Sequence, residues 1–163
     1  MRRRLRVGEL APDFRLPDQH GVAVRLTDLL DRGRVVLFFY PAAMSRGCTA
    51  ESCHFRDLAG EFAAAGALRV GISGDGVEKQ REFDAEHGLG YPLLSDADGA
   101  VAAAYGVRRT IRGLPPQRAT FVIDTDRCVL GKITSELRME VHADGALTLL
   151  HELGPAAGGG THS

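Results

Sequence analysis

The run Val35-Val36-Leu37-Phe38-Phe39-Tyr40 is apolar at every position. Side chains of a strand alternate between the two faces of a sheet, so a segment without a polar position has to be covered on both sides. It must therefore be a central strand lying between two layers, and the flanking sequence supplies them. Residues 22–26 read as a short strand before it. After it, Phe55, Leu58, Ala59 and Phe62 recur at helical spacing, and Gly66 is the expected stop. Further on, the pattern predicts a strand over 68–72, a polar helix over 77–87 after Gly76, a short strand at 93–94 and a small helix near 101–105. Strands over 120–123 and 129–133 flank the turn Asp124-Thr125-Asp126 as a hairpin, and a last helix covers about 141–150. Strands that alternate with helices in this way predict an α/β sandwich. At 163 residues with 44% hydrophobic content, one core suffices. A single domain over residues 5–153 is expected, with a disordered Gly-rich tail over 154–163.

Cys48 and Cys53 follow the central strand, in Pro41-Ala42-Ala43-Met44-Ser45-Arg46-Gly47-Cys48-Thr49-Ala50-Glu51-Ser52-Cys53. A strand that leads through a proline-containing loop into a helix puts Cys48 at the helix start. Unpaired backbone N–H groups and the positive end of the helix dipole converge there, and both favour thiolate over thiol. The arrangement points to thiol redox chemistry.

Pro41, Ser45 and Cys48, spaced Pro-x-x-x-Ser-x-x-Cys and joined by Arg118 in Arg118-Ala119-Thr120-Phe121-Val122-Ile123-Asp124, resemble the active site of the peroxiredoxins. Cys53, five residues on, is similar to the second cysteine of the bacterioferritin-comigratory-protein, or Q-type, subgroup. Gly8 to Phe14, Tyr91-Pro92-Leu93-Leu94-Ser95-Asp96, Ala104-Tyr105-Gly106-Val107 and Val141-His142-Ala143-Asp144 extend the resemblance over residues 5–153. It implies a thioredoxin fold, in the peroxiredoxin-type three-layer form with an added N-terminal β-hairpin. It also implies a thiol-dependent peroxidase of the atypical two-cysteine kind, with Cys48 peroxidatic, Cys53 resolving through an intramolecular Cys48–Cys53 disulfide, and no cofactor. The expected substrates are hydrogen peroxide and organic hydroperoxides, and the expected partner is thioredoxin or a similar dithiol protein. A monomer, or at most a weak dimer, is expected.

Chemistry and the resemblance together suggest the remaining roles. A free cysteine of pKa about 8.5 is roughly 3% ionised at pH 7, so lowering its pKa to about 6 raises the thiolate fraction only about thirtyfold. Nucleophilicity falls with pKa and takes back part of that gain. The larger contribution should come from donors aimed at the two peroxide oxygens, each worth about 3 kcal/mol in a dry pocket. Arg118, a permanent cation with five donors, can hold thiolate and peroxide together. The Ser45 hydroxyl can accept from the hydroperoxide, a role compatible with a plain helix N-cap. Pro41 is stiff and lacks an N–H, so it can keep water from the sulfur. The N–H groups of Gly47 and Cys48 are the remaining expected donors, and Gly47 leaves room for substrate. The family usually carries Thr at position 45, Pro at 46 and Lys-Asp at 42–43, so Ser45, Arg46, Ala42 and Ala43 depart from its pattern. Serine lacks the methyl that fixes the threonine rotamer, so turnover is expected to be modest. Five residues of helix advance about 7.5 Å and turn about 140°, beyond the roughly 7 Å Cα limit of a disulfide. The first turns of the helix must therefore melt in each cycle.

Other readings are weaker. A redox sensor or adaptor with incidental turnover is the main alternative, and a disulfide oxidoreductase would want Cys-x-x-Cys. Zinc held by Cys48, Cys53 and His54 lacks a second ligand cluster, so no metal is expected. Cys128 reads as a small hydrophobe, and His20, His87, His142, His151 and His162 as surface or satisfied histidines. The net charge of −1 offers nothing to nucleic acid, and Arg2, Arg3, Arg4 and Arg6 read as a solvated arm. No apolar run reaches membrane-spanning length and no secretory signal is recognisable, so no membrane partner and a cytoplasmic location are expected.

Overall fold

The computed structural model describes residues 4–108 and 115–155. Arg2, Arg3, His162 and residues 156–163 of the expected tail lie outside them. Strands β1 (Arg15–Pro17) and β2 (Ala23–Arg25) pair antiparallel as a separate N-terminal hairpin. Helix α1 (Leu26–Leu30) follows, so Leu26 opens a helix and does not close the preceding strand. Next come β3 (Arg34–Phe39), α2 (Arg46–Asp57), α3 (Ala59–Ala64), β4 (Ala67–Ser73), α4 (Val77–His87) and β5 (Leu93–Ser95). The chain is completed by α5 (Ala100–Ala104), β6 (Ala119–Ile123), β7 (Val129–Thr134) and α6 (Glu140–Leu153). The main sheet runs β5-β4-β3-β6-β7, parallel across the first three strands and antiparallel across the last two pairings. With helices on both sides of this sheet, it is a thioredoxin fold.

The central apolar strand lies where its composition requires. All six residues of β3 are buried, with β4 on one side and β6 on the other. Val35, Leu37 and Phe39 face a core shared with α1, α5 and the hairpin, which includes Phe14, Tyr105 and Phe121. Val36, Phe38 and Tyr40 face a second core under α2, α4 and α6, with Phe55, Phe62, Phe83 and Leu147. Burying one such aromatic is worth about 2 kcal/mol.

Helical spacing suggested one helix ending at Gly66, but the chain breaks at Leu58 (φ −96°, ψ 20°) into α2 and α3. Phe55 and Phe62, on either side of the break, both lie in the second core. The short helix α5 is set by Asp96, whose carboxylate oxygens accept from the Val101 and Ala102 N–H groups at 3.1 and 2.9 Å. At the C-terminus, the expected disordered segment starts at Gly154, yet the Gly154 and Pro155 carbonyls accept from buried Arg34 at 2.5 and 3.4 Å.

Candidate active site

Register brings the site together. Phe39, the last residue of β3, pairs antiparallel with Ala119, so Arg118 just ahead of β6 stands beside the loop that leaves β3. Alternation along β6 sends Ala119, Phe121 and Ile123 into the first core and Val122 into the second. Arg118 and Thr120 therefore share the face on which α2 and α6 pack.

Helix α2 starts at Ser45, whose extended backbone (φ −74°, ψ 155°) and side chain make it the N-cap. Its Oγ accepts from the Cys48 N–H at 3.3 Å and donates to the Ala42 carbonyl at 2.9 Å. The Cys48 N–H, expected as a donor to substrate, is thus engaged by Ser45. Met44 ahead of the cap adopts a left-handed φ of 70°, a conformation that costs about 1 kcal/mol in a non-glycine residue. Asp75 offsets that strain: its Oδ2 accepts from the Ala43 N–H at 2.6 Å and from the Ser73 hydroxyl at 2.7 Å. Pro41 is half-buried beside this loop.

Cys48 is fully buried, and Arg118 Nη2 donates to its Sγ at 3.4 Å. The same guanidinium donates through Nη1 to Glu51 Oε1 at 2.6 Å. Glu51 lies one turn beyond Cys48 on the same face of α2 and is fully buried. Burial pushes its carboxyl up from 4.5 to about 7, against the downward pull of Arg118. The Arg118 backbone N–H donates to Glu136 Oε2 at 3.1 Å. Gly47 sits against Arg118, and a Cβ there would stand 3.3 Å from Nη2 and 3.5 Å from the Met139 sulfur. Behind Glu51, His142 of α6 is fully buried, with Nδ1 at 2.8 Å from Thr120 Oγ1 and Nε2 at 2.9 Å from the Ser135 carbonyl.

Cys53 is half-buried on the same continuous helix, and all three cysteines are free thiols. Around it, the Tyr91 hydroxyl donates to the Ser52 carbonyl at 2.7 Å, and His54 Nε2 lies 2.7 Å from Asp144 Oδ1. Phe55 stacks on Phe38 with centroids 4.1 Å apart, and Arg69 Nη1 donates to the Phe55 carbonyl at 2.9 Å. Cys128 is half-buried, far along the chain just ahead of β7, and forms an isolated antiparallel bridge with Leu10.

Pro41, Ser45, Gly47, Cys48 and Arg118 thus share one corner of the fold, and Cys53 lies off that corner along α2. Sequence reasoning missed Glu51, Thr120, His142 and Asp75. Glu51 carried a signal in its i,i+3 spacing from Cys48. His142 lies in a segment that carries the family resemblance, but by sequence alone it reads as an ordinary satisfied histidine. The arrangement can hold a thiolate, a cation and a buried carboxylate in one line of hydrogen bonds, which suits attack on an electrophile that leaves as an anion.

A model of the AhpC/TSA family matches residues 7–131. The crystal structure of peroxidoxin BcpB from Mycobacterium tuberculosis superposes with a TM-score of 0.88 at 56% identity, over 91% of this chain and 98% of that one. A Xanthomonas campestris peroxiredoxin Q structure gives a TM-score of 0.77 at 30% identity, over 85% of this chain and 90% of that one. The chloroplastic peroxiredoxin Q of Oryza sativa subsp. japonica is 38% identical over 90% of this chain and 67% of its own length. No helix among the described residues is long and apolar enough to cross a membrane.

Proposed function

Because the chain belongs to the AhpC/TSA family, among the peroxiredoxins of the bacterioferritin-comigratory or Q type, it is a thiol-dependent peroxidase, and we propose that Cys48 is its peroxidatic cysteine and Cys53 the resolving one. The observation that carries this reading is the buried Cys48 sulfur, 3.4 Å from Arg118 Nη2 at the N-terminal turn of α2.

In the first step the Cys48 thiolate attacks one oxygen of the hydroperoxide. The sulfur electron pair forms the S–O bond, the O–O bond breaks, and the second oxygen leaves with its electrons and takes up a proton as water or an alcohol. Arg118 faces both the sulfur that loses charge and the oxygen that gains it, so its donors tighten as the transition state forms. The Ser45 hydroxyl turns from the Ala42 carbonyl toward the hydroperoxide, Pro41 keeps water from the sulfur, and the bare Gly47 leaves the approach open.

Cys48 is then a sulfenic acid. The Cys53 thiol displaces its oxygen as water and forms the Cys48–Cys53 disulfide, once residues 47–54 have unwound from α2. A dithiol reductant returns both thiols; we assign thioredoxin or a similar dithiol protein to this step, acting on a monomer or weak dimer. Three cysteines, an odd number, do not make a closed structural disulfide framework, which supports a cytoplasmic location. The test is one equivalent of peroxide followed by mass mapping of the cysteine peptides, with NADPH consumption through thioredoxin reductase and thioredoxin as the turnover assay. A Cys48–Cys53 peptide and sustained NADPH consumption are expected. A bond to Cys128, or none, would remove Cys53 from its role.

A further inference from the structure

His142 is buried between β6 and the loop ahead of α6, and its two nitrogens do different work. Nε2 faces a backbone carbonyl, Ser135 O, at 2.9 Å, and only an N–H can satisfy that acceptor. In the neutral ring Nδ1 is then a lone pair, which accepts from the Thr120 hydroxyl at 2.8 Å. The same Nδ1 also lies 3.6 Å from Glu51 Oε2. That oxygen is buried and has no hydrogen bond among the described residues, whereas its twin Oε1 is bound to Arg118 at 2.6 Å. A histidine kept only to fill space would need Thr120 and Ser135, and it has both. Neither explains why the free oxygen of a buried carboxylate is turned to it.

Charge supplies the reason. Reduced and ready, the site holds the Cys48 thiolate, the Arg118 guanidinium and Glu51. If Glu51 is ionised and nothing else is charged, a fully buried cluster carries a net negative charge, and the carboxylate on Nη1 competes with the thiolate on Nη2 for one cation. A proton on the Glu51–His142 pair removes the conflict. It can sit on Oε2 and point at Nδ1, replacing the Thr120 hydroxyl as donor to that one lone pair, or on Nδ1 and point at Oε2, with Thr120 Oγ1 no longer donating to the ring; either way the pair is neutral and Arg118 is matched to the thiolate alone.

Resting on the peroxidase reading above, we propose that His142 is a positioning residue for the peroxide reaction: with Glu51 it holds one buried proton beside Arg118, and that proton decides whether the guanidinium charge is given to Cys48 or shared with a carboxylate. The groups that face the pair are Cys48 from α2, Arg118 and Thr120 from the β6 side, Ser135 and Glu136 from the loop before α6, and Tyr91 from the loop before β5. Burial raises the Glu51 carboxyl to about 7 and lowers the His142 imidazolium below its ordinary value, with Arg118 pushing the same way on the histidine. Both shifts favour the arrangement in which the pair's one proton sits on Glu51 and the ring is neutral.

The experiment follows the second-order rate of Cys48 oxidation by hydrogen peroxide in the reduced full-length protein, from neutral to alkaline pH, by quenched-flow alkylation and mass spectrometry. The wild-type rate should fall on the alkaline side as the pair loses its proton. Glu51→Gln cannot lose that proton, and the alkaline fall should vanish. His142→Gln keeps a donor for the Ser135 carbonyl but removes the Nδ1 atom; the fall should move down by about one pH unit, a rate about tenfold lower on the descending limb. Imidazole 15N spectra of the wild type need no substitution, and the His142 Nδ1 resonance should shift with the midpoint of the fall. A level wild-type rate at alkaline pH, an unmoved limb in His142→Gln, or an Nδ1 resonance that stays put through the fall overturns the inference while leaving the peroxidase intact. Absence of any reaction at Cys48 overturns both.

Discussion

Tyr91→Phe should accelerate the resolving step without touching peroxide attack. The Tyr91 hydroxyl donates to the Ser52 carbonyl at 2.7 Å, inside the stretch of α2 that the proposed Cys48–Cys53 disulfide requires to unwind. The rest of the side chain has other work: its ring meets Phe38 edge-on at 5.7 Å, and the Arg69 guanidinium lies 5.0 Å over its face. Phenylalanine keeps the apolar packing, so the substitution removes one hydrogen bond and little else. A buried bond of this kind contributes about 1 kcal/mol net. The Ser52 carbonyl keeps its place in the helical ladder and is not orphaned. If disulfide formation proceeds through a pre-equilibrium in which residues 47–54 open, 1 kcal/mol off the closed state raises the open population, and with it the rate, about fivefold.

The measurement is a single turnover. One equivalent of peroxide is added to reduced protein, the reaction is stopped with an alkylating agent, and sulfenic acid and Cys48–Cys53 disulfide are counted by mass. Disulfide should form about fivefold faster in Tyr91→Phe, with peroxide consumption within about twofold of wild type. Because a second peroxide competes with Cys53 for the sulfenic acid, the concentration that overoxidises half of Cys48 should rise by a similar factor. A variant that is less stable to denaturant by about 1 kcal/mol yet closes its disulfide at the wild-type rate would refute the reasoning, since the opening of α2 would then not control the step.

Cys48→Ser should abolish peroxidase turnover while Cys128→Ser retains most of it, read by coupled NADPH consumption. Arg118→Ala should slow peroxide attack by at least about a hundredfold, more than the roughly thirtyfold that ionisation can explain, and raising the pH to ionise Cys48 fully should not restore the wild-type rate. Amide hydrogen exchange should show residues 47–55 less protected in the disulfide form than in the reduced form, and equal protection would show that α2 does not open. Cys53→Ser should react once with peroxide and stop as sulfenic acid, detected by a dimedone adduct on Cys48.

The layers of the fold were legible because hydrophobic pattern alone fixes them. Residues 35–40 could only be a two-sided strand, and the polar helix after Gly76 runs over Val77–His87 as its spacing predicts. The break at Leu58 was not legible, because Phe55, Leu58, Ala59 and Phe62 satisfy one helical face whether or not the backbone is continuous. At the site, the residues singled out were those whose chemistry is unusual in isolation: a cysteine at a helix start, a proline, a hydroxyl, a cation. Glu51 and His142 look ordinary in the chain, a glutamate within a helix and a histidine among small residues. Their character comes from burial and from each other across 91 positions of separation, and that pairing requires the β3–β6 register and the packing of α6 on α2.

The same contacts would let one helix start be rigid for the proposed attack and loose for the proposed resolution. Before the reaction, the first two turns of α2 are held by the Ser45 cap, by Arg118 bridging Cys48 and Glu51, by Tyr91 on Ser52 and by His54 at Asp144. Beyond them, the Phe55 stack on Phe38 and the Arg69 bond to the Phe55 carbonyl anchor the helix to the sheet. In the proposed reaction, attack turns the Cys48 thiolate into a neutral sulfenic acid. The charge-assisted part of the Arg118–Cys48 contact disappears with the sulfur's charge, and such bonds are roughly twice as strong as neutral ones. The added oxygen must also be housed beside a sulfur that is fully buried in the reduced form. Both changes fall on the first turn and neither reaches Phe55, so the chemical step itself weakens the segment that has to open and spares the anchor that lets it rewind.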